Sequence, residues 1–144
     1  MKFSLVTADW PVPDNVIAGT TLRSGGVSHG EFDSLNLATH VGDDPASVRE
    51  NRRRFQTHCG LPKEPVWLKQ VHGTRVALVN SMLTKPEADA IVTCKADVVC
   101  AILTADCLPI LMTTEDGNEI AAVHAGWRGL CTGILEETIS AFEA

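Results

Sequence analysis

Three potential metal ligands lie at the ends of apolar, strand-like segments in the second half of the sequence. His72 lies at the end of VWLKQVHG, Cys107 at the end of DVVCAILTADC, and His124 at the end of EIAAVH. A single histidine or cysteine in such a position is more often a packed core residue than a ligand. Strand ends also point side chains into clefts at a sheet edge, so three of them in one half of the chain shift the balance towards a shared site. The pattern alone supports packing and a common site about equally.

Two imidazoles and one thiolate would suit Zn²⁺, and three protein ligands leave a fourth position open for water, as in catalytic zinc sites. Zinc would lower the pKa of that water and supply a hydroxide. The same ligand types bind copper. A thiolate nucleophile activated by histidine would need no metal. A further alternative is a non-catalytic zinc site that stabilises the fold, in which Asp106 or His40 is the fourth protein ligand and no coordination position is open.

The Gly126-Trp127-Arg128-Gly129 turn follows His124 and opens a predicted helix. Such a turn presents free main-chain N–H groups to an anion, and the Arg128 guanidinium adds a fork of donors. A phosphate or carboxylate could be held there. A second interpretation, compatible with the first, is a glycine turn in which Trp127 fills the core.

Composition sets the class of protein. The chain has 144 residues, 44% of them apolar, and a formal net charge of −6, which indicates a globular domain and argues against a nucleic-acid partner. It has neither the apolar segment of a signal peptide nor a run of about 18 apolar residues, so we expect no membrane partner. Its five cysteines are an odd number in a sequence without an export signal, which indicates reduced thiols. We therefore expect a cytoplasmic protein.

Short aliphatic segments separated by turn residues fill the second half, including RVALVN, ADAIVT, LPILMTT and EIAAVH. ILTADCLPILM predicts a central strand region buried on both faces, with a bulge or break at Pro109.

Two helices are predicted. Asp44 as a cap and Pro45 as the first helical residue predict a helix that ends at Gly60. A final helix follows AGWRG, and its apolar side consists of Cys131, Ile134, Leu135, Thr138 and Phe142.

Four segments, VWLKQVHG, ADAIVT, LTADCLPILM and AAVHAGWRGL, resemble the YfiH family in this order. The N-terminal RSGGVSHGEFDSLNLATHVGDDPASVRENRRRF is similar to the opening of the same family, so the resemblance spans nearly the whole chain. TADCLP and HAGWRG are specific motifs. Members have been called laccase-domain or polyphenol oxidase proteins, peptidoglycan editing factors and purine nucleoside phosphorylases.

The resemblance implies that a metal is held by the histidine of QVHG, the cysteine of ADC and the histidine of VHAGW, which are His72, Cys107 and His124 here. It implies an α/β (α+β) fold of mixed β-sheet layers flanked by helices, similar to cysteine-hydrolase-like and cytotoxic-factor catalytic domains. Family members are longer than this chain, and the final helix stops at Ala144 in mid-pattern. We therefore expect residues 1–144 to form one domain, the N-terminal part of a longer, truncated one.

The family's names imply different reactions. A multicopper oxidase needs many histidines, whereas this sequence has five and no His-x-His pair. The resemblance fits better with a purine nucleoside enzyme that uses zinc, or copper, for phosphorolysis of adenosine, inosine and methylthioadenosine and for deamination of adenosine. The alternatives are a Cys-dependent hydrolase that edits peptidoglycan precursors and a copper-dependent polyphenol oxidase.

Four further residues are candidates for contact with a nucleoside and phosphate. Arg23 of LRSGG and Arg128 lie in Gly-rich settings suited to phosphate. Asp106 is predicted to transfer a proton or to orient a ligand. Gln70 is either a substrate donor or a strand residue that faces its neighbour. Together with the trio, Asp106 completes the predicted catalytic set. The sequence leaves the oligomeric state open.

Overall fold

The computed structural model describes residues 3–80 and 85–142, which fall into two units. The first unit comprises Met1–Asp9 and Ala18–Leu61, and the second comprises Trp10–Ile17 and Pro62–Ala144. Helices and two β-sheets occur together, so the mixed α/β class predicted from the sequence is confirmed. No helix among the described residues is long and apolar enough to cross a membrane.

The first unit contains a small sheet and one long helix. Strand β1 (Leu5–Thr7) pairs antiparallel with β2 (Gly19–Thr21), and helix α1 spans Pro45–Cys59. The Asp44 side chain caps α1 by accepting a hydrogen bond from the Ser47 amide at 3.0 Å. The helix ends at Gly60, which adopts the left-handed conformation with φ of 59°. The predicted limits of this helix are confirmed, because both depend on local side-chain and backbone preferences.

The second unit is built on a four-stranded mixed sheet in the order β3-β4-β6-β5. Strand β3 runs parallel to β4, whereas β6 is antiparallel to both of its neighbours. Two short helices follow the last strand. The elements are β3 (Val76–Leu78), β4 (Ala90–Thr93), β5 (Leu108–Thr113), β6 (Ile120–Ala125), α2 (Trp127–Thr132) and α3 (Ile134–Phe142).

Both faces of the two central strands are buried. Ile91 and Ala122 lie in one apolar cluster, and Ala90 and Val123 lie in a second cluster with Ile134 of α3. Side chains alternate between the faces of a strand, so β4 and β6 supply both clusters. This explains why their sequences are apolar almost throughout.

Three expectations about the strands were wrong. VWLKQVHG and DVVCAILT are extended segments joined by an isolated bridge between Val66 and Cys100, not regular strands. ILTADCLPILM is not a doubly buried central strand, because β5 begins only at Leu108 and lies at one end of the described sheet. Pro109 fits within β5 without a break, since a proline that donates no hydrogen bond is tolerated on an edge strand.

The C-terminal helix also differs from its prediction. Gly133, with φ of 101°, divides it into α2 and α3. Because of this break, Cys131 is exposed, whereas Ile134 and Thr138 are fully buried. Trp127 does not plug the core, since 71% of its surface is exposed.

Candidate metal centre

The three predicted ligands meet at one end of the sheet in the second unit. His124 lies near the end of β6, and Cys107 directly precedes β5. Because β5 and β6 are antiparallel, the start of β5 lies beside the end of β6, with Pro109 opposite His124. The third ligand, His72, belongs to the turn between the extended segment and β3. Cys107 therefore lies just before a strand and His72 lies in a turn, rather than both ending strands.

The donor atoms of His72, Cys107 and His124 all lie within 4.8 Å of one another. The two imidazole rings meet edge to face, with their centroids 4.7 Å apart. His124 is buried, Cys107 is half-buried and His72 is exposed, so the trio extends from the core to the surface. This donor set and spacing fit one Zn²⁺ or copper ion reached by small side-chain rotations.

Asp89 is a buried carboxylate at this site that sequence reasoning missed. It precedes β4 and pairs across the sheet with His124, whose amide donates to the Asp89 carbonyl at 2.7 Å. The Asp89 side chain has no exposed surface, and its Oδ1 lies 2.8 Å from His124 Nδ1. One feature of the sequence could have indicated Asp89: it is an acidic residue between two alanines, directly before an apolar strand. A carboxylate in that position is expected to be buried, and a buried carboxylate requires hydrogen-bond partners.

The Asp89 carboxylate also accepts hydrogen bonds from three successive main-chain amides. His72 and Gly73 each donate at 2.8 Å, and Val71 donates at 3.2 Å to both oxygens. Burial raises the pKa of Asp89, but the hydrogen bonds from His124 and these amides outweigh it and hold the pKa below its usual value. The group is therefore a carboxylate at neutral pH.

The surroundings of Cys107 disfavour a free thiolate. Burial raises the pKa of this thiol, and the nearby carboxylates of Asp106 and Asp89 raise it further. Asp106 is exposed, and its Oδ1 lies 3.7 Å from Cys107 Sγ. Reactive cysteines usually have positive neighbours that lower the thiol pKa. A cation bound by the trio would supply that missing charge.

Gly126 lies directly against the trio. A Cβ atom at this position would lie 3.1 Å from Cys107 Sγ and 3.3 Å from the His72 ring. Its φ of −73° is accessible to any residue, so the constraint is space and not backbone conformation. The glycine that the sequence assigned to an anion-binding turn therefore also makes room for two of the candidate ligands.

The other predicted site residues have different surroundings. The side-chain amide of Gln70 donates to the Leu103 carbonyl and accepts from the Leu103 amide, both at 2.7 Å, as a residue facing its neighbour would. Arg128 is exposed, with its guanidinium 5.2 Å from the centre of the Trp127 ring. Arg23 belongs to the first unit, where its guanidinium donates to the Asp33 carbonyl. Contact of these residues with a substrate stays a prediction.

A family model described as multi-copper polyphenol oxidoreductase laccase matches residues 17–144. The chain therefore belongs to the YfiH, or laccase-domain, family, as the sequence motifs predicted.

Particular relatives carry more specific names. Over 139 residues the chain is 50% identical to the purine nucleoside phosphorylase YfiH of Escherichia coli K12 and 49% identical to a purine nucleoside phosphorylase of Haemophilus influenzae. Each alignment covers 96% of this chain, which spans 57% of the length of either relative. A crystal structure of a Neisseria meningitidis protein superposes with a TM-score of 0.90 at 48% identity, over 97% of this chain and 57% of that one.

Proposed function

We propose that His72, Cys107 and His124 bind one zinc ion at the centre of a purine nucleoside enzyme. The reactions proposed are phosphorolysis of adenosine, inosine and methylthioadenosine, and deamination of adenosine. The observation that carries this proposal is the convergence of the three donor atoms within 4.8 Å. The names of the Escherichia coli and Haemophilus influenzae relatives support the class of substrate.

We propose zinc as the bound metal because of the chemistry that it would supply at this site. Two imidazole nitrogens and one thiolate leave a coordination position open, where a bound zinc ion would activate water or polarise a substrate atom. The same donors can bind copper, so copper remains the second candidate.

Phosphorolysis also requires a binding site for phosphate. Arg128 is the first candidate, because it lies two residues after Gly126, where a Cβ would approach two of the ligands, and because it is exposed. The exposed indole of Trp127 supports that guanidinium through a cation–π contact. Arg23 is the second candidate for phosphate. Asp106, exposed next to Cys107, is the proposed proton-transfer group, and Gln70 remains a candidate donor to substrate.

A metal-free cysteine hydrolase has less support. Such an enzyme needs a thiolate at neutral pH, whereas burial and two carboxylates raise the pKa of the Cys107 thiol. A laccase has less support too, because the five histidines of the sequence cannot supply a multinuclear copper cluster.

The test is base release from adenosine, inosine and methylthioadenosine by the zinc-loaded chain, with and without inorganic phosphate. We expect release that requires phosphate, conversion of adenosine to inosine without phosphate, and loss of both activities in Cys107→Ala. Cys131→Ala, which changes an exposed thiol in α2, is the matched control and should retain both. Equal turnover by the wild type and Cys107→Ala would contradict the proposal.

A further inference from the structure

We propose that Asp89 is a positioning residue that orients the His124 imidazole and fixes the main chain that carries His72 before a metal binds. The inference rests on the proposed metal site, but its basis is the hydrogen bonding of the Asp89 side chain itself. One carboxylate, fully buried, contacts the ring of His124 and the main chain of His72. It therefore connects the buried and the exposed histidine of the site.

The contact with His124 selects a tautomer. Both oxygens of Asp89 accept hydrogen bonds from main-chain amides, so the 2.8 Å contact between Asp89 Oδ1 and His124 Nδ1 places the proton on Nδ1. The second ring nitrogen, Nε2, then carries a lone pair that is available to a metal. Buried carboxylates orient metal-binding histidines in this way in other proteins.

The contact with the turn fixes the backbone of His72. This residue has φ of 61°, a left-handed conformation that costs a non-glycine residue free energy. Hydrogen bonds from the amides of Val71, His72 and Gly73 to Asp89 stabilise the turn, because successive amides form a concave seat for an anion. A fixed backbone reduces the reorganisation needed for the His72 ring to reach the metal.

Asparagine cannot replace this carboxylate in either orientation. With its oxygen towards His124, its NH₂ group faces the donating amides of Gly73 and Val71. With the NH₂ group towards His124, the proton of the imidazole shifts to Nε2 and blocks the lone pair. In either case we expect Asp89→Asn to weaken zinc binding by about 10- to 100-fold.

The experiment uses the whole chain and two measurements. The first is the tautomer of His124 in the metal-free wild type, from long-range ¹H–¹⁵N correlation spectra. The second is the zinc dissociation constant of wild type, Asp89→Asn and a control, Asp43→Asn, by competition with a chromophoric chelator. Asp43 is a carboxylate of the first unit that accepts hydrogen bonds from Ser28 and Asn36.

The expected result is an Nδ1-protonated His124, weaker zinc binding in folded Asp89→Asn, and unchanged binding in Asp43→Asn. An Nε2-protonated His124 in the wild type would overturn the inference, as would a folded Asp89→Asn that binds zinc within twofold of the wild type. If Asp89→Asn does not fold, or if the wild type binds no zinc, the wild-type tautomer alone decides. Failure of the zinc site is thereby separated from failure of the role of Asp89.

Discussion

Replacing Gly126 with alanine would insert a methyl group between two of the three candidate ligands. The new Cβ would lie 3.1 Å from Cys107 Sγ and 3.3 Å from the His72 ring. Ordinary contacts between such atoms begin at about 3.5 Å, so each side chain must move by a few tenths of an ångström. The backbone itself accepts alanine, because Gly126 has φ of −73°.

The size of the effect follows from the cost of overpacking, which is about 1–3 kcal/mol. Without metal the Cys107 and His72 side chains can rotate away from the methyl group, whereas a bound metal would hold them in place. Most of the cost should therefore fall on metal binding. Since about 1.4 kcal/mol corresponds to a tenfold change, we expect the zinc dissociation constant to rise about 5- to 150-fold.

Chelator competition measures the dissociation constant, and thermal unfolding of the metal-free variant measures its stability. Gly73→Ala is the matched control, because a Cβ there would lie 3.7 Å from both Asp89 and Val71, which is ordinary contact. We expect the control to bind zinc as the wild type does. A Gly126→Ala variant with unchanged zinc affinity would refute the inference that the Cys107 and His72 side chains jointly hold the ion against this glycine.

Two further predictions concern the half-buried thiol of Cys100 and the two arginines. Burial raises the pKa of Cys100 from 9.0 to about 12, so iodoacetamide at pH 8 should modify exposed Cys94 and Cys131 but leave Cys100 intact until the chain unfolds. The unfolded thiol loses its proton first, so Cys100 should also make the free energy of unfolding fall as the pH rises from 9.0 towards 12. Mass spectrometry that finds Cys100 alkylated as fast as Cys94 would contradict the raised pKa of the Cys100 thiol. Arg128→Ala and Arg23→Ala should each raise the KM for phosphate in steady-state phosphorolysis. An unchanged KM would contradict a role of that arginine in binding phosphate.

Local signals predicted the parts of the fold that depend on neighbouring residues. Helix α1 was predicted to its end residues, because an aspartate cap, a proline and a left-handed glycine act on the backbone beside them. Strands β4 and β6 were also predicted, since their apolar runs suit the centre of a sheet.

The order of strands could not be derived in the same way. ILTADCLPILM is as apolar as a central strand, but β6 and not β5 lies beside β4, which leaves Pro109 on the outer strand. One interpretation of the glycine turn placed Trp127 in the core, yet Trp127 lies on the surface of α2. Burial depends on which segments pair over long distances, and this is not encoded in any short window of sequence.

The candidate site was likewise predicted in part from local sequence and in part only once distant segments had paired. His72, Cys107 and His124 are recognisable by residue type and position, and the structure brings them together. Asp89 was missed because a lone aspartate in ADAIVT carries no metal-binding signature. Its role emerges only when β4 and β6 pair and place it opposite His124. Gly126 was noticed as a turn residue, but its contact with Cys107 depends on the same pairing.

The proposed metal centre is tested most directly by the metal content of the chain purified without added metal, measured by elemental analysis beside Cys107→Ala. We expect about one zinc ion per wild-type chain and its loss in the variant, since a three-ligand site cannot spare its thiolate. Near-stoichiometric copper in the wild type would instead favour the oxidase alternative. A metal content that is the same in both proteins, or absent from the wild type, would contradict a metal centre formed by His72, Cys107 and His124.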